Sequence, residues 1–207
     1  MAISGGFWTM ERTARLLKRP GGAGKSLPRL LFFTDPGRTP DPVAVARRLP
    51  RGAAVVYRTF GTPHAEATAR ALKAVTRERG LRLLIGQDER LAARVGADGV
   101  HLPERMAHRA LALKRARPGW IVTAAAHSVR AARAAGPDAV VVSAVFPSRS
   151  PSAGAPMGPI RLAALVRAAG RPAYALGGVN DKTARRLLDA GLVGLAGVEG
   201  LAARDAP

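Results

Sequence analysis

Short apolar runs recur along this chain at residues 30–34, 54–57, 81–85, 99–102, 120–124, 139–145, 173–176 and 193–196. Between them lie segments in which apolar residues return at helical spacing, at 43–49, 64–79, 90–95, 107–116, 128–135, 160–169 and 182–190. A strand buried on both faces reads as a continuous apolar run, and a covering helix reads as amphipathic, so this alternation predicts a parallel sheet layered by helices. Eight units predict an α/β fold, a (β/α)8 TIM barrel of the phosphate-binding type. The loops should be short, because 207 residues fall below the roughly 250 usual for that fold. An open doubly wound sheet is the alternative. Its dinucleotide turn has no counterpart here, since Thr34-Asp35-Pro36-Gly37 lacks the required glycine spacing.

Two segments carry the phosphate-binding expectation. Val95-Gly-Ala-Asp-Gly-Val-His-Leu-Pro103 and Tyr174-Ala-Leu-Gly-Gly-Val179 each read as a short strand that breaks at glycine before a helix. Glycine lets backbone N–H groups approach an anion, and a following helix start adds its positive dipole end.

The opening of the chain reads differently. Residues 1–27 are expected to be a flexible basic segment, followed by a barrel over 28–207. Within the segment, residues 10–19 have the spacing of a short basic amphipathic helix, loosely docked, and 20–26 read as a linker. Gly24-Lys25-Ser26 imitates the end of a P-loop, but residue 19 is Arg where that motif starts with Gly, and no strand precedes it. The segment lacks the apolar stretch and cleavage site of a secretory signal, and Met10 is a plausible alternative start.

Composition narrows the chemistry. The chain has no cysteine, which removes disulfides, thiolate metal sites and cysteine nucleophiles. No apolar run reaches the 18 or so residues of a membrane span, and a cytoplasmic location is expected. Lys and Arg number 33 against 14 Asp and Glu, a formal charge of +19. Such a field concentrates small phosphorylated substrates. Nucleic acid is the less favoured partner, because the arginines are dispersed without interleaved aromatics and no DNA-binding spacing appears.

In a barrel of this kind the active site lies where the strands end. The residues there include Asp35, Arg58, Gln87 with Asp88, His101 with Glu104, and His127. Arg58 offers a planar fork to phosphate oxygens. His101 and His127 are candidates for acid–base work. The loop 146–158 holds three serines, Arg149 and two glycines that can donate to phosphate, with Ser148, Ser150 and Gly158 the expected contacts. Gly177 and Gly178, with Glu199 and Gly200, occupy the corners after strands seven and eight that commonly hold a phosphate.

These features, in this order, resemble the thiamine phosphate synthase and thiazole tautomerase family from about Leu30 to Leu201. The shared motifs are Thr34-Asp35-Pro36, the run from Gly96 to Leu102, Ala125-Ala126-His127-Ser128, the loop 145–151 with its ending at 156–158, and Gly177-Gly178-Val179. The resemblance implies a transferase that joins a pyrimidine methyl pyrophosphate to a thiazole phosphate, with Mg²⁺ helping pyrophosphate depart. Oligomers are common in the family. Several positions depart from its pattern. The family's lysine after strand two is Phe60, its two Mg²⁺ aspartates align with Gln87 and Met106, and the serine before His127 is Ala125. Its loop threonines are Ser148 and Ser150, its loop lysine is Pro151, and Glu199 stands where it has serine. Asp88 and Glu104 are the candidates for a shifted Mg²⁺ pair. The tautomerase branch's histidine is Ala144. The resemblance therefore implies a synthase with a degenerate metal and pyrophosphate half, whose activity is weak or lost. The alternatives are a non-catalytic barrel that binds phosphate or a polyanion, and a tautomerase-like protein without the usual histidine.

Overall fold

All eight apolar runs form parallel strands that close on themselves in chain order. The computed structural model describes residues 9–18, 27–150 and 154–202. The strands are β1 (Leu30–Phe33), β2 (Ala54–Tyr57), β3 (Arg82–Gly86), β4 (Gly99–Leu102), β5 (Ile121–Ala126), β6 (Ala139–Val142), β7 (Ala173–Ala175) and β8 (Gly194–Gly197). Each pairs with the next, and β1 pairs with β8 through Leu31 and Ala196, so the ring has no open edge. The (β/α)8 barrel is the fold, and the open sheet is excluded.

The helices are α1 (Met10–Leu16), α2 (Pro42–Arg48), α3 (Ala65–Arg79), α4 (Glu89–Arg94), α5 (Ala110–Ala116), α6 (Val129–Ala132), α7 (Gly158–Ala169), α8 (Asp181–Ala184) and α9 (Glu199–Ala202). Five begin at a capping side chain: Thr9, Asp41, Asp88, Ser128 and Asn180 each accept from first-turn N–H groups that would otherwise lack partners. Two expected helices are partly 3-10 instead, at Glu104–Arg109 before α5 and Arg185–Leu187 after α8. The sixth strand also stops at Val142, three residues early, where the chain turns into its long loop.

Strand alternation divides the core into two. Leu31, Phe33, Val56, Leu84, Val141 and Tyr174 fill the barrel interior. The Tyr174 hydroxyl donates to the Pro28 carbonyl at 2.7 Å, so its polar end is satisfied despite full burial. Phe32, Val55, Leu83, Val100, Val122 and Val140 face outward against the helices. At the N-terminal end of the barrel, two aspartates one residue before a strand play the same part. Asp98 accepts from the Leu83 N–H at 2.9 Å and from Lys73, and Asp138 accepts from the Val122 N–H at 2.8 Å and from Lys114. Asp98 ties the start of β4 to β3 and α3, and Asp138 ties the start of β6 to β5 and α5.

Asp98 also corrects the reading of its segment. Gly96 precedes β4 and Gly99 opens it, both at the opposite end of the barrel from the strand tips, so they form no phosphate corner. Gly99 is required for another reason: a Cβ there would meet the Ile121 carbonyl oxygen at 1.9 Å. Close approach of two backbones sets that residue.

The amino-terminal helix is not loose. Met10, Thr13, Ala14 and Leu17 are buried. The Met10 N–H donates to Asp181 at 2.6 Å, and Arg29 donates to the Ala14 carbonyl. A flexible segment is therefore wrong for residues 9–18, whose apolar face has the barrel to cover. The linker expected at 20–26 lies outside the described residues. Among the described residues no helix is long and apolar enough to cross a membrane.

Gly99→Ala is expected to destabilise the fold by about 3 kcal/mol, because the obstructing atom is backbone and cannot rotate away. Urea denaturation monitored by circular dichroism measures it, and a loss below about 0.5 kcal/mol would contradict the close-approach argument.

Candidate active site

At the C-terminal rim the strand ends enclose a cavity of about 1230 Å³. Its lining is basic on one arc, with Arg38, Arg58 and Arg105, and glycine-rich on the other, with Gly177, Gly178 and Gly200.

The basic arc is built from the ends of β1 to β4. Arg58 follows β2, and its backbone N–H donates to the Thr34 hydroxyl at 2.9 Å. Its Nε donates to the Thr34 carbonyl at 2.8 Å, while one Nη reaches Asp35 at 3.4 Å. The guanidinium also lies over the rings of Phe60 and Phe33, at 4.9 and 5.7 Å. Arg38 donates to the same Asp35 carboxylate at 2.7 Å. That bond holds the Asp35 carboxyl below its ordinary pKa. Burial pushes the Arg58 pKa down and Asp35 opposes it, yet arginine starts so high that the group stays charged. Arg58 thus sits where it was expected, held in one orientation. Sequence reasoning missed Arg38; its signal was the spacing of three from Asp35.

Gln87 follows β3, and its side-chain oxygen accepts from Arg105 at 3.1 Å. Gln87 and Phe60 have positive φ, 54° and 48°, and both line the cavity. Non-glycine residues held there cost of order 1–3 kcal/mol each, a strain that clusters at functional sites.

The two histidines differ. His101 is buried on β4, its Nδ1 3.0 Å from the Thr123 hydroxyl and its ring edge-on to Phe33. Burial, with Arg58 nearby, lowers its pKa to about 3. An imidazole held neutral lacks the readily released proton of an imidazolium acid, though it keeps one ring N–H donor. His127 has its N–H bonded to Glu104 at 2.7 Å and its Nδ1 to the Ser143 carbonyl at 2.8 Å. These contacts fix its ring at the cavity wall.

On the glycine arc, Gly177 and Gly178 turn after β7 with φ of 93° and 63°. Among the described residues neither donates its N–H to another protein atom, which leaves both free for a ligand. A Cβ at Gly178 would meet the Pro147 carbonyl oxygen at 2.3 Å, so this corner also seats the loop after β6. Ser148, Ser150, Glu199 and Gly200 line the same side. Glu199 accepts from Arg149 at 2.9 Å, so its charge is compensated beside the corner. Gly158 is not part of the site: its N–H donates to the Val145 carbonyl at 2.9 Å. Arg161, one turn into α7, lines the cavity and escaped sequence reasoning.

A family model described as thiamine monophosphate synthase matches residues 30–201. The chain belongs to that family. It is 37% identical to a thiamine-phosphate synthase of Chromobacterium violaceum over 64% of this chain and 66% of that one. It is 27% identical to a thiamine-phosphate synthase of Xylella fastidiosa over 85% and 79%. The solved thiamine phosphate pyrophosphorylase of Pyrococcus furiosus superposes with a TM-score of 0.73 at 26% identity, covering 87% of this chain and 90% of that one.

Thiamine phosphate synthases normally use Mg²⁺, and the donors here do not suit it. Asp88 caps α4, its Oδ1 accepting from the Leu91 N–H at 2.8 Å, and Glu104 is bonded to the His127 N–H. Neither lines the cavity, so the shifted pair expected from sequence does not form. Met106 packs against the core. Among the described residues no three acidic or imidazole groups converge as metal ligands. On the basic arc a hard octahedral cation would find the amide oxygen of Gln87, already bonded to an arginine, and, among the described residues, no lining carboxylate.

The His101 ring is expected to show no titration in NMR between pH 5 and 8. Its folded pKa lies below the unfolded value of about 6.5, so the unfolded chain binds the extra proton. Its contribution to stability is then complete above pH 6.5 and is lost as pH falls from there toward 3. A ring titrating near 6.5 would contradict its burial.

Proposed function

We propose that this chain is a thiamine phosphate synthase-type transferase, joining a pyrimidine methyl pyrophosphate to a thiazole phosphate. The observation that carries the reading is one cavity with two anion-receiving arcs. Arg38, Arg58 and Arg105 suit a pyrophosphate, and the Gly177–178 corner with Ser148 and Ser150 suits a single phosphate. Family membership over residues 30–201 points to the same pair of substrates.

The chemistry asks for what the cavity offers. The bond between the pyrimidine methyl carbon and a pyrophosphate oxygen breaks, and its electron pair leaves with pyrophosphate. The thiazole nitrogen then gives its lone pair to that carbon. No proton moves, so neither histidine is needed as an acid or base. What must be stabilised is negative charge growing on the leaving group, which is work for fixed guanidinium groups in a partly dry site. His101 and His127 become positioning residues that shape the wall. A location in the cytoplasm, among soluble phosphorylated metabolites, fits this role.

A second reading is a phosphate-binding barrel without turnover, favoured by Phe60, Gln87 and Met106 at the family's charged positions. One experiment separates the two. Purified protein with both substrates, with and without Mg²⁺, is expected to yield thiamine phosphate by mass spectrometry, and Arg58→Ala is expected to lower kcat/KM about 100-fold. Tight binding of thiazole phosphate with no product would support the second reading. No binding at millimolar concentrations would end both.

A further inference from the structure

Three guanidinium groups line the arc between β1 and β4, and they share one carboxylate. Asp35 is bonded to Arg38 and Arg58, whereas Arg105 is bonded to the neutral amide of Gln87. The other acidic groups nearby are engaged elsewhere: Asp88 in its helix cap, Glu104 on the His127 N–H, and Glu89 in an ion pair with Arg109 on the outer layer. Counting direct ion pairs, this arc has three guanidinium groups to one carboxylate, and all three line the cavity.

Arg105 has the most telling contact. Its Nη2 takes the Gln87 oxygen, the one hard donor that the end of β3 presents to the cavity. A divalent cation at that oxygen would face a guanidinium within hydrogen-bond range. Were residue 87 a carboxylate, it would neutralise Arg105 and attract a cation. As an amide it orients the arginine and leaves its charge unspent. Gln87 keeps this geometry despite a left-handed backbone.

We propose that this arc is a metal-independent pyrophosphate site in which Arg105, oriented by Gln87, acts together with Arg38 and Arg58 in place of a divalent ion. The proposal deepens the transferase reading and rests on it for the identity of the leaving group. Arg58 is the fixed member, tied to Thr34 and stacked on Phe60. Arg105 is the exposed member, oriented toward its place by its bond to Gln87.

The test is a calorimetric titration of inorganic pyrophosphate into the full chain in EDTA. Binding is expected, with an affinity within about threefold of that in excess Mg²⁺. Arg105→Gln should weaken metal-free binding about tenfold, as the loss of a charge-assisted contact does. Gln87→Asp should weaken it as well, and should make Mg²⁺ improve the affinity. Residue 105 is on the surface, and aspartate tolerates a left-handed backbone at least as well as glutamine, so both variants are expected to fold. Pyrophosphate heat seen only with Mg²⁺ would overturn the proposal. So would Arg105→Gln binding as tightly as the parent. The two readings fail separately. Thiamine phosphate formed only with Mg²⁺ defeats the metal-free site and leaves the transferase, whereas metal-free binding without product does the reverse.

Discussion

Eight parallel strands closed into a ring put every strand end on one rim, and each group of the cavity is there because a strand stops beside it. Closure depends on contacts at the other end. Gly99 lets the backbones of β4 and β5 approach, and Asp98 and Asp138 pin the starts of β4 and β6 to lysines of α3 and α5. A barrel without those ties would lose register, and a one-residue slip reverses which side chains face inward. The position of Arg58 at the mouth is thus a consequence of glycine and aspartate placed a strand length away.

The rim then sorts its charges by how they are held. Asp35 is the pivot of the basic arc, because one carboxylate fixes two arginines without cancelling both. Thr34 supplies two further contacts to Arg58 from the adjoining strand. On the opposite arc no cation is fixed by burial, and free backbone N–H groups take that part. Arg149 answers Glu199 there, which is why a glutamate beside a phosphate corner is tolerable. A rigid cluster of cations suits a multiply charged leaving group, and a corner of peptide dipoles suits a phosphate that stays in place.

Much of this was legible in the sequence, and the failures have physical causes. Buried parallel strands leave continuous apolar runs, so all eight were found, with most ends within one or two residues. Gly177 and Gly178 were legible because a strand precedes them. The glycines at 96 and 99 misled because glycine before a strand and glycine after it look alike until the direction of packing is known. Asp88 misled because an aspartate ahead of a helix is a cap or a ligand by the same letter, and the Leu91 N–H decides for the cap. Gly158 looked available until its N–H was found on Val145. Arg105 was invisible: among 33 basic residues nothing in its neighbourhood marks it, and only its bond to Gln87 does.

Whether arginines can do the work of a metal ion is a question of magnitudes. A divalent ion binds oxygen at about 2.1 Å, and a guanidinium nitrogen approaches an anionic oxygen at about 2.8 Å. At equal dielectric, Coulomb attraction scales as charge over distance, so each guanidinium supplies roughly two-fifths of what the ion does. Three come out level with one ion before Asp35 is counted, and Asp35, unlike Arg38 and Arg58, does not line the cavity. The difference is geometric more than energetic. A divalent ion draws two phosphate oxygens to one point and carries its own hydration shell, whereas three forks spread along the pyrophosphate and must already be in place. That requirement explains why Arg58 is held by four neighbours and why Gln87 adopts a costly backbone to aim Arg105. On the metal-free proposal the barrel holds its compensating charges on its own rim, and the rigidity of that rim is what the proposal requires.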